Sequence, residues 1–130
     1  MIIRTITSHD IDAALPAFVE LLADSVASGA SIGFLPPLDT SAALDFWRGV
    51  SAELAARTRI VLVAEVDGQL AGAAHLALVT KPNALHRAEV QKLLVHTRHR
   101  GRGIARRLMQ ALEAEALANG RTLLVLDTVK

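Results

Sequence analysis

The sequence predicts a mixed α/β (α+β) domain with elements in the order β-α-α-β-β-β-α-β. Three observations carry this. Two β-rich runs flank Asp67-Gly68, a strong hairpin turn. Three segments repeat their apolar residues at helical spacing. The chain closes with a strand–helix–strand crossover, so the fourth and fifth strands should run parallel.

Residues 2–6 read as a short first strand, and Ser8 or Asp10 can cap the helix that follows. Ile11, Leu15, Phe18, Leu22 and Val26 give that helix its apolar stripe, with Gly29 as a stop. Pro16 lies too deep for a first-turn proline behind an Asp10 cap, so the helix either kinks there or begins later. The loop 28–38 carries Ile32, Phe34 and Leu35 among glycines and prolines, and such a loop usually packs down or meets a ligand. Asp39, Thr40 and Ser41 offer caps for a second helix, striped by Leu44, Trp47, Val50 (or Ser51) and Leu54. At that spacing Trp47 reads as core rather than as a stacking platform. Residues 59–66 and 69–79 are the second and third strands; Lys81-Pro82-Asn83 punctuates, and 86–95 is the fourth. Residues 102–119 form a helix with Ile104, Leu108, Leu112 and Ala116 on one face, ended by the Asn119-Gly120 signal. Residues 123–127 are the fifth strand.

At 130 residues and 52% hydrophobic, the chain suits one domain and is too apolar for disorder. Its longest uncharged stretch, 25–38, is shorter than the roughly 20 apolar residues of a membrane span. The N-terminus lacks the basic flank and long apolar core of a signal peptide. Without cysteine there is no disulfide, thiolate nucleophile or zinc–thiolate site, and no histidine cluster has metal-ligand spacing. A soluble, cytoplasmic protein with no membrane or metal partner is expected. The net charge of +1 conceals a segregation: residues 1–80 carry −5 and residues 81–110 carry +7, with Glu89 the only acid among the latter. Arg98, Arg100, Arg102, Arg106 and Arg107 crowd into ten positions, which points to one anionic ligand. Broad basicity and aromatic platforms are lacking, which argues against nucleic acid.

The informative stretch runs from Val90 to Ala105: a buried strand, a loop with Gly101 and Gly103, and a helix start. The first turn of a helix has free N–H groups and partial positive charge, so it attracts phosphate. Glycines let successive N–H groups curl toward one anion. The P-loop reading fails because no Lys-Ser or Lys-Thr follows the glycines. The dinucleotide fingerprint fails because Arg106 replaces its third glycine.

Arg98-x-x-Gly101-x-Gly103, between a Leu-Leu-Val strand and a helix, resembles the acetyl-CoA-binding motif of the GNAT superfamily of N-acetyltransferases. Ser28 to Phe34, Lys81-Pro82-Asn83 and His86 to Leu93 resemble the tabtoxin resistance protein branch of that superfamily, over nearly the whole chain. The resemblance implies a GNAT fold and an acetyltransferase that uses acetyl-CoA on an amine of a small molecule. It implies that the backbone of Arg100, Gly101, Arg102, Gly103, Ile104 and Ala105 holds the pyrophosphate. The pantetheine arm would pair like a strand with Leu93, Leu94 and Val95, where the fourth and fifth strands splay apart. Glu89 and Asp127 fall where that branch carries acids proposed as bases. The superfamily continues past the fifth strand with a helix and two strands and supplies a tyrosine; this sequence stops at Lys130 and has no tyrosine. It therefore reads as a single acetyltransferase domain, residues 1–130, truncated at its C-terminus. The alternatives are a CoA-binding module without catalysis and an inactive fragment. Self-association through the exposed edge of the fifth strand is expected.

Chemistry independently singles out the two acids. Acyl transfer needs a neutral amine, whose pKa is about 10, so a carboxylate must take the proton directly or through water. Glu89 shares a strand face with Gln91 and Leu93 if the pleat is regular. Asp127 ends an apolar strand, where a buried acid needs a partner. His75 either faces the cleft or is a structural histidine, and His96 and His99 are expected to be exposed.

Overall fold

The computed structural model describes residues 1–29 and 34–126, with the backbone alone over 123–126. β1 (Ile2–Thr5), β2 (Arg59–Val66), β3 (Gln69–Leu78) and β4 (Arg87–Val95) form an antiparallel sheet in that order. β5 (Leu123–Leu126) joins β4 in parallel, as the crossover through α4 (Ile104–Ala118) requires. The hairpin forms at Asp67 (φ 51°) and Gly68 (φ 76°), the paired left-handed residues of a type I′ turn.

The helical segment after β1 is two helices, α1 (Ser8–Ala13) and α2 (Leu15–Ala27). Ala14 leaves the helical region, and Pro16 falls in the first turn of α2, where its missing N–H costs nothing. The open choice at Pro16 is thus resolved as a later start. Neither Ser8 nor Asp10 is the cap of α1. Thr7 has the extended backbone that a cap requires (φ −107°, ψ 170°), and it forms a reciprocal box with Asp10 in the first turn. Asp10 N donates to Thr7 Oγ1 at 3.4 Å, and Thr7 N donates to Asp10 Oδ2 at 2.8 Å.

α3 (Thr40–Ala55) begins at Asp39, whose Oδ1 accepts from Ser41 N at 3.2 Å. Trp47 is fully buried, 4.9 Å from the ring of Phe18, so the core reading holds. Phe34 packs edge-on against Phe46, whereas Leu35 points to solvent; Ile32 lies outside the described residues.

The helices cover both faces of the sheet. α1, α2 and α3 bury Ile11, Leu22, Trp47, Val61 and Leu94 on one side. On the other, Ile104, Leu108, Leu112 and Ala116 of α4 pack on Leu62, Ala74, Leu76 and Val90. Gly72 of β3 sits beneath α4, where an added Cβ would stand 2.7 Å from the Leu94 carbonyl oxygen. α4 ends at Asn119, followed by left-handed Gly120 (φ 73°). Among the described residues no helix is long and apolar enough to cross a membrane.

Candidate active site

β4 leads into a short 3₁₀ turn, Thr97–His99, and then into the glycine pair. Gly101 (φ 79°) and Gly103 (φ 74°) both adopt the left-handed conformation that favours glycine. Gly103 is the N-cap of α4 and offers no side chain to it, so the first-turn N–H groups are left for an external acceptor. An added Cβ at either glycine meets nothing within 4 Å, so the space over the loop is open. Ile104 is buried and anchors the turn, while Arg100, Gly101, Arg102, Gly103 and Ala105 are exposed.

The arginines do not act as one group. Arg98 Nη2 donates to Glu20 Oε1 at 2.8 Å, and Arg100 Nη2 donates to Ser28 Oγ at 2.8 Å, so both are drawn toward α2. Arg102, Arg106 and Arg107 remain exposed about the helix start. His96 and His99, expected at the surface, are both buried, His96 facing Glu20 and Asp24 of α2 and His99 beside the His96 ring. His96 Nδ1 accepts from Arg98 N at 3.1 Å, which leaves the ring proton on Nε2, 3.2 Å from Glu20 Oε1. Burial, and then the neighbouring Arg102 and Arg98, push the pKa of His99 below its ordinary value.

On its outer side β4 pairs with β5 from Arg87 to Val90, and beyond Val90 no described strand lies on that side, β3 holding the other. Among the described residues, Leu93, Leu94 and Val95 have no strand paired on that outer edge. The pleat is not regular here. His75 pairs with Lys92 but Leu76 pairs with Val90, so Gln91 is an extra, bulged residue. The bulge inverts the alternation. Glu89, opposite Ala77, lies on the α1–α3 face, whereas Leu93, opposite Ala74, lies on the α4 face. The expectation that Glu89 shares a face with Leu93 is thus corrected. Glu89 is half-buried. Asp127 lies outside the described residues.

A polar network underlies Glu89. Arg59, Ala77 and Glu89 form one row across three strands, and the small Ala77 lets Arg59 reach toward β4. Arg59 Nη2 donates to Gln91 Oε1 at 2.7 Å, and Arg59 Nε pairs with Glu53 Oε2 at 2.5 Å. Arg59 Nη1 lies 3.4 Å from His75 Nδ1. A guanidinium can only donate, so that nitrogen accepts and the proton is on Nε2, which has no partner among the described residues. His75 is fully buried, stacked on Phe46 and tilted against Trp47. It is structural and does not face the cleft. Burial first, with help from Arg59 and Lys92, lowers its pKa to about 3. Sequence reasoning missed Arg59, Gln91, Glu20 and Asp24. Only the i, i+4, i+8 spacing of Glu20, Asp24 and Ser28 could have signalled a polar face on α2. Among the described residues no group of three His, Asp or Glu is placed to hold a metal ion.

Comparison with known proteins places this geometry. The model of the acetyltransferase (GNAT) family matches residues 27–130. An uncharacterized N-acetyltransferase of the hisH–hisA intergenic region of Azospirillum brasilense is 35% identical over 106 residues, 80% of this chain and 61% of its own length. The chain thus spans less than two thirds of that curated relative. The crystal structure of a ribosomal-protein-alanine N-acetyltransferase from Brucella melitensis biovar Abortus 2308 superposes with a TM-score of 0.70 at 27% identity, over 100% of this chain and 82% of that one. A predicted acetyltransferase from Clostridium acetobutylicum, crystallised with acetyl-CoA, shares the fold (TM-score 0.72, 21% identity, 99% of this chain and 81% of that one).

Proposed function

The chain belongs to the GNAT acetyltransferase family, and from that premise we propose that it transfers an acetyl group from acetyl-CoA to an amine of a small molecule. One observation carries the reading. The uncapped helix start, with its two left-handed glycines, stands at the end of the same strand whose outer edge, among the described residues, has no strand paired beyond Val90. An anion site and a strand-like slot in series suit a ligand that joins a pyrophosphate to an amide-bearing arm.

In this reading the N–H groups from Arg100 to Ala105 hold the pyrophosphate. The backbone of Leu93, Leu94 and Val95 pairs with the pantetheine arm, and one of its N–H groups donates to the thioester carbonyl, stabilising negative charge as it develops. The neutral amine forms the new C–N bond as the C–S bond breaks. Glu89 accepts the amine proton, directly or through water, and Asp127 is the second candidate base. Binding of CoA without turnover is the second reading.

Calorimetry with CoA tests the placement. Gly103→Val strains a left-handed turn and should weaken binding strongly; unchanged affinity in a folded variant overturns the site. Thiol release over a panel of amines then separates an enzyme from a binding module. The panel should include β-lactam amino acids and, because the Brucella relative is a ribosomal-protein-alanine N-acetyltransferase, a peptide with alanine at its N-terminus. Preference for the peptide over every small amine would replace the small-molecule reading.

A further inference from the structure

Two side chains of α2 and that of its C-cap, Ser28, meet the loop in sequence. Glu20, Asp24 and Ser28 are spaced at i, i+4 and i+8, which places Glu20 and Asp24 on one face of the helix with Ser28 at its C-cap on the same side. Glu20 Oε1 accepts from Arg98 Nη2 and lies 3.2 Å from His96 Nε2. Asp24 takes both donors of one residue: Thr97 N donates to its Oδ2 at 2.8 Å and Thr97 Oγ1 to its Oδ1 at 2.6 Å. Ser28 Oγ accepts from Arg100. Residues 96 to 100 are thus held by side chains more than 70 positions earlier, immediately before the glycine turn.

Two carboxylates in the wall of an anion site oppose the ligand electrostatically. Their presence needs a reason that outweighs this, and the geometry supplies one. A carboxylate that accepts both the N–H and the hydroxyl of Thr97 fixes the backbone and the side-chain rotamer of that residue together. The direction in which the following glycines present their N–H groups is then set before any ligand arrives, and preorganisation of this kind raises affinity by cutting the cost of ordering. Asp24 is only 18% exposed. Burial raises its pKa, but the two Thr97 hydrogen bonds, with His96 and Arg100 nearby, hold it below the ordinary carboxylate range, so the brace stays ionised. Arg98, turned toward Glu20, serves the brace and not the anion.

We propose that the face of α2 bearing Glu20 and Asp24, with the C-cap Ser28, is a splint for the anion-binding loop, with Asp24 the positioning residue acting through Thr97. This rests on the cofactor reading above. The splint sets the affinity for CoA and leaves the chemical step alone, because neither Asp24 nor Thr97 belongs to the residues assigned to the reacting groups.

The test is calorimetry of the full chain with CoA, on the wild type, Thr97→Val, Thr97→Ser, Asp24→Ala and the Asp24→Ala/Thr97→Val double variant, each checked for folding by circular dichroism. Thr97→Val and Asp24→Ala should each weaken CoA about tenfold or more, as expected for loss of a hydrogen bond to a charged group. The double variant should bind less weakly than the two separate losses combined would give, since both break one contact. Thr97→Ser, which keeps the hydroxyl, should bind as the wild type does. In acetyl transfer the KM for acetyl-CoA should rise with kcat unchanged, a split that simple loss of folded protein cannot produce. Should Asp24→Ala fail to fold, the exposed Thr97 decides through its Val and Ser variants. Wild-type binding of CoA with equal affinity in folded Thr97→Val overturns the splint alone. A wild type that takes up no CoA overturns the cofactor reading and the splint with it.

Discussion

His75 is neutral because of where it sits. Its folded pKa of about 3 lies below the ordinary value of 6.5, so between those limits the unfolded chain binds a proton that the folded chain refuses. Stability from this group is full above pH 6.5 and falls on acidification, by about 1.4 kcal/mol per pH unit toward pH 3. Denaturant unfolding at several pH values should show this slope, and His75→Phe should flatten it; identical slopes in the two proteins would refute the assignment. Glu89 makes a different prediction. Glu89→Gln should lower acetyl transfer about 10²–10⁴-fold while CoA affinity holds, because a base acts on the amine. A wild-type rate across pH would remove it from the mechanism. Glu89 was legible in the sequence as the lone acid in a basic segment. His96 and His99 were misread because histidine suits either environment, and the side chains that meet His96 come from α2, distant in the chain.

At the level of elements, local turn chemistry was legible and long-range packing was not. Asp67-Gly68 specifies its own turn, and Asn119-Gly120 specifies the end of α4. The break between α1 and α2 was half visible through Pro16. The bulge at Gln91 was invisible, since the apolar run Leu93-Leu94-Val95 fits either face and carries no alternation to betray an extra residue. Gly72 was likewise silent. Its hydrogen replaces a methyl that would meet the Leu94 carbonyl oxygen at 2.7 Å, with Leu108 and Ile104 close behind. Gly72→Ala should push α4 off β3 and β4 and cost about 1–3 kcal/mol, the usual penalty of overpacking. A thermal melt superimposable on that of the wild type would show that the backbone yields more easily than the packing implies.

Across the whole molecule, charge is arranged by the fold and not by the sequence order. The basic segment 81–110 meets acids from the N-terminal half at Glu20 and Asp24, which pair with Arg98 and His96, so the exposed positive charge left about the helix start is that of Arg100, Arg102, Arg106 and Arg107. The sheet is bounded by β1 and β5 among the described residues, and the β5 segment Leu123-Leu124-Val125-Leu126 is wholly apolar in sequence. Residues 1–130 in isolation should self-associate along that edge. Sedimentation at high concentration showing a monomer that unfolds cooperatively would overturn this expectation. Trp47 adds a different kind of consequence. It is the sole tryptophan, fully buried, with its indole N–H unpartnered among the described residues and its ring against His75 and Phe46. The protein therefore carries its own optical gauge: emission should keep the blue colour of an indole shielded from water, resist ionic quenchers, and turn red when the sheet face bearing Glu89 comes open to solvent.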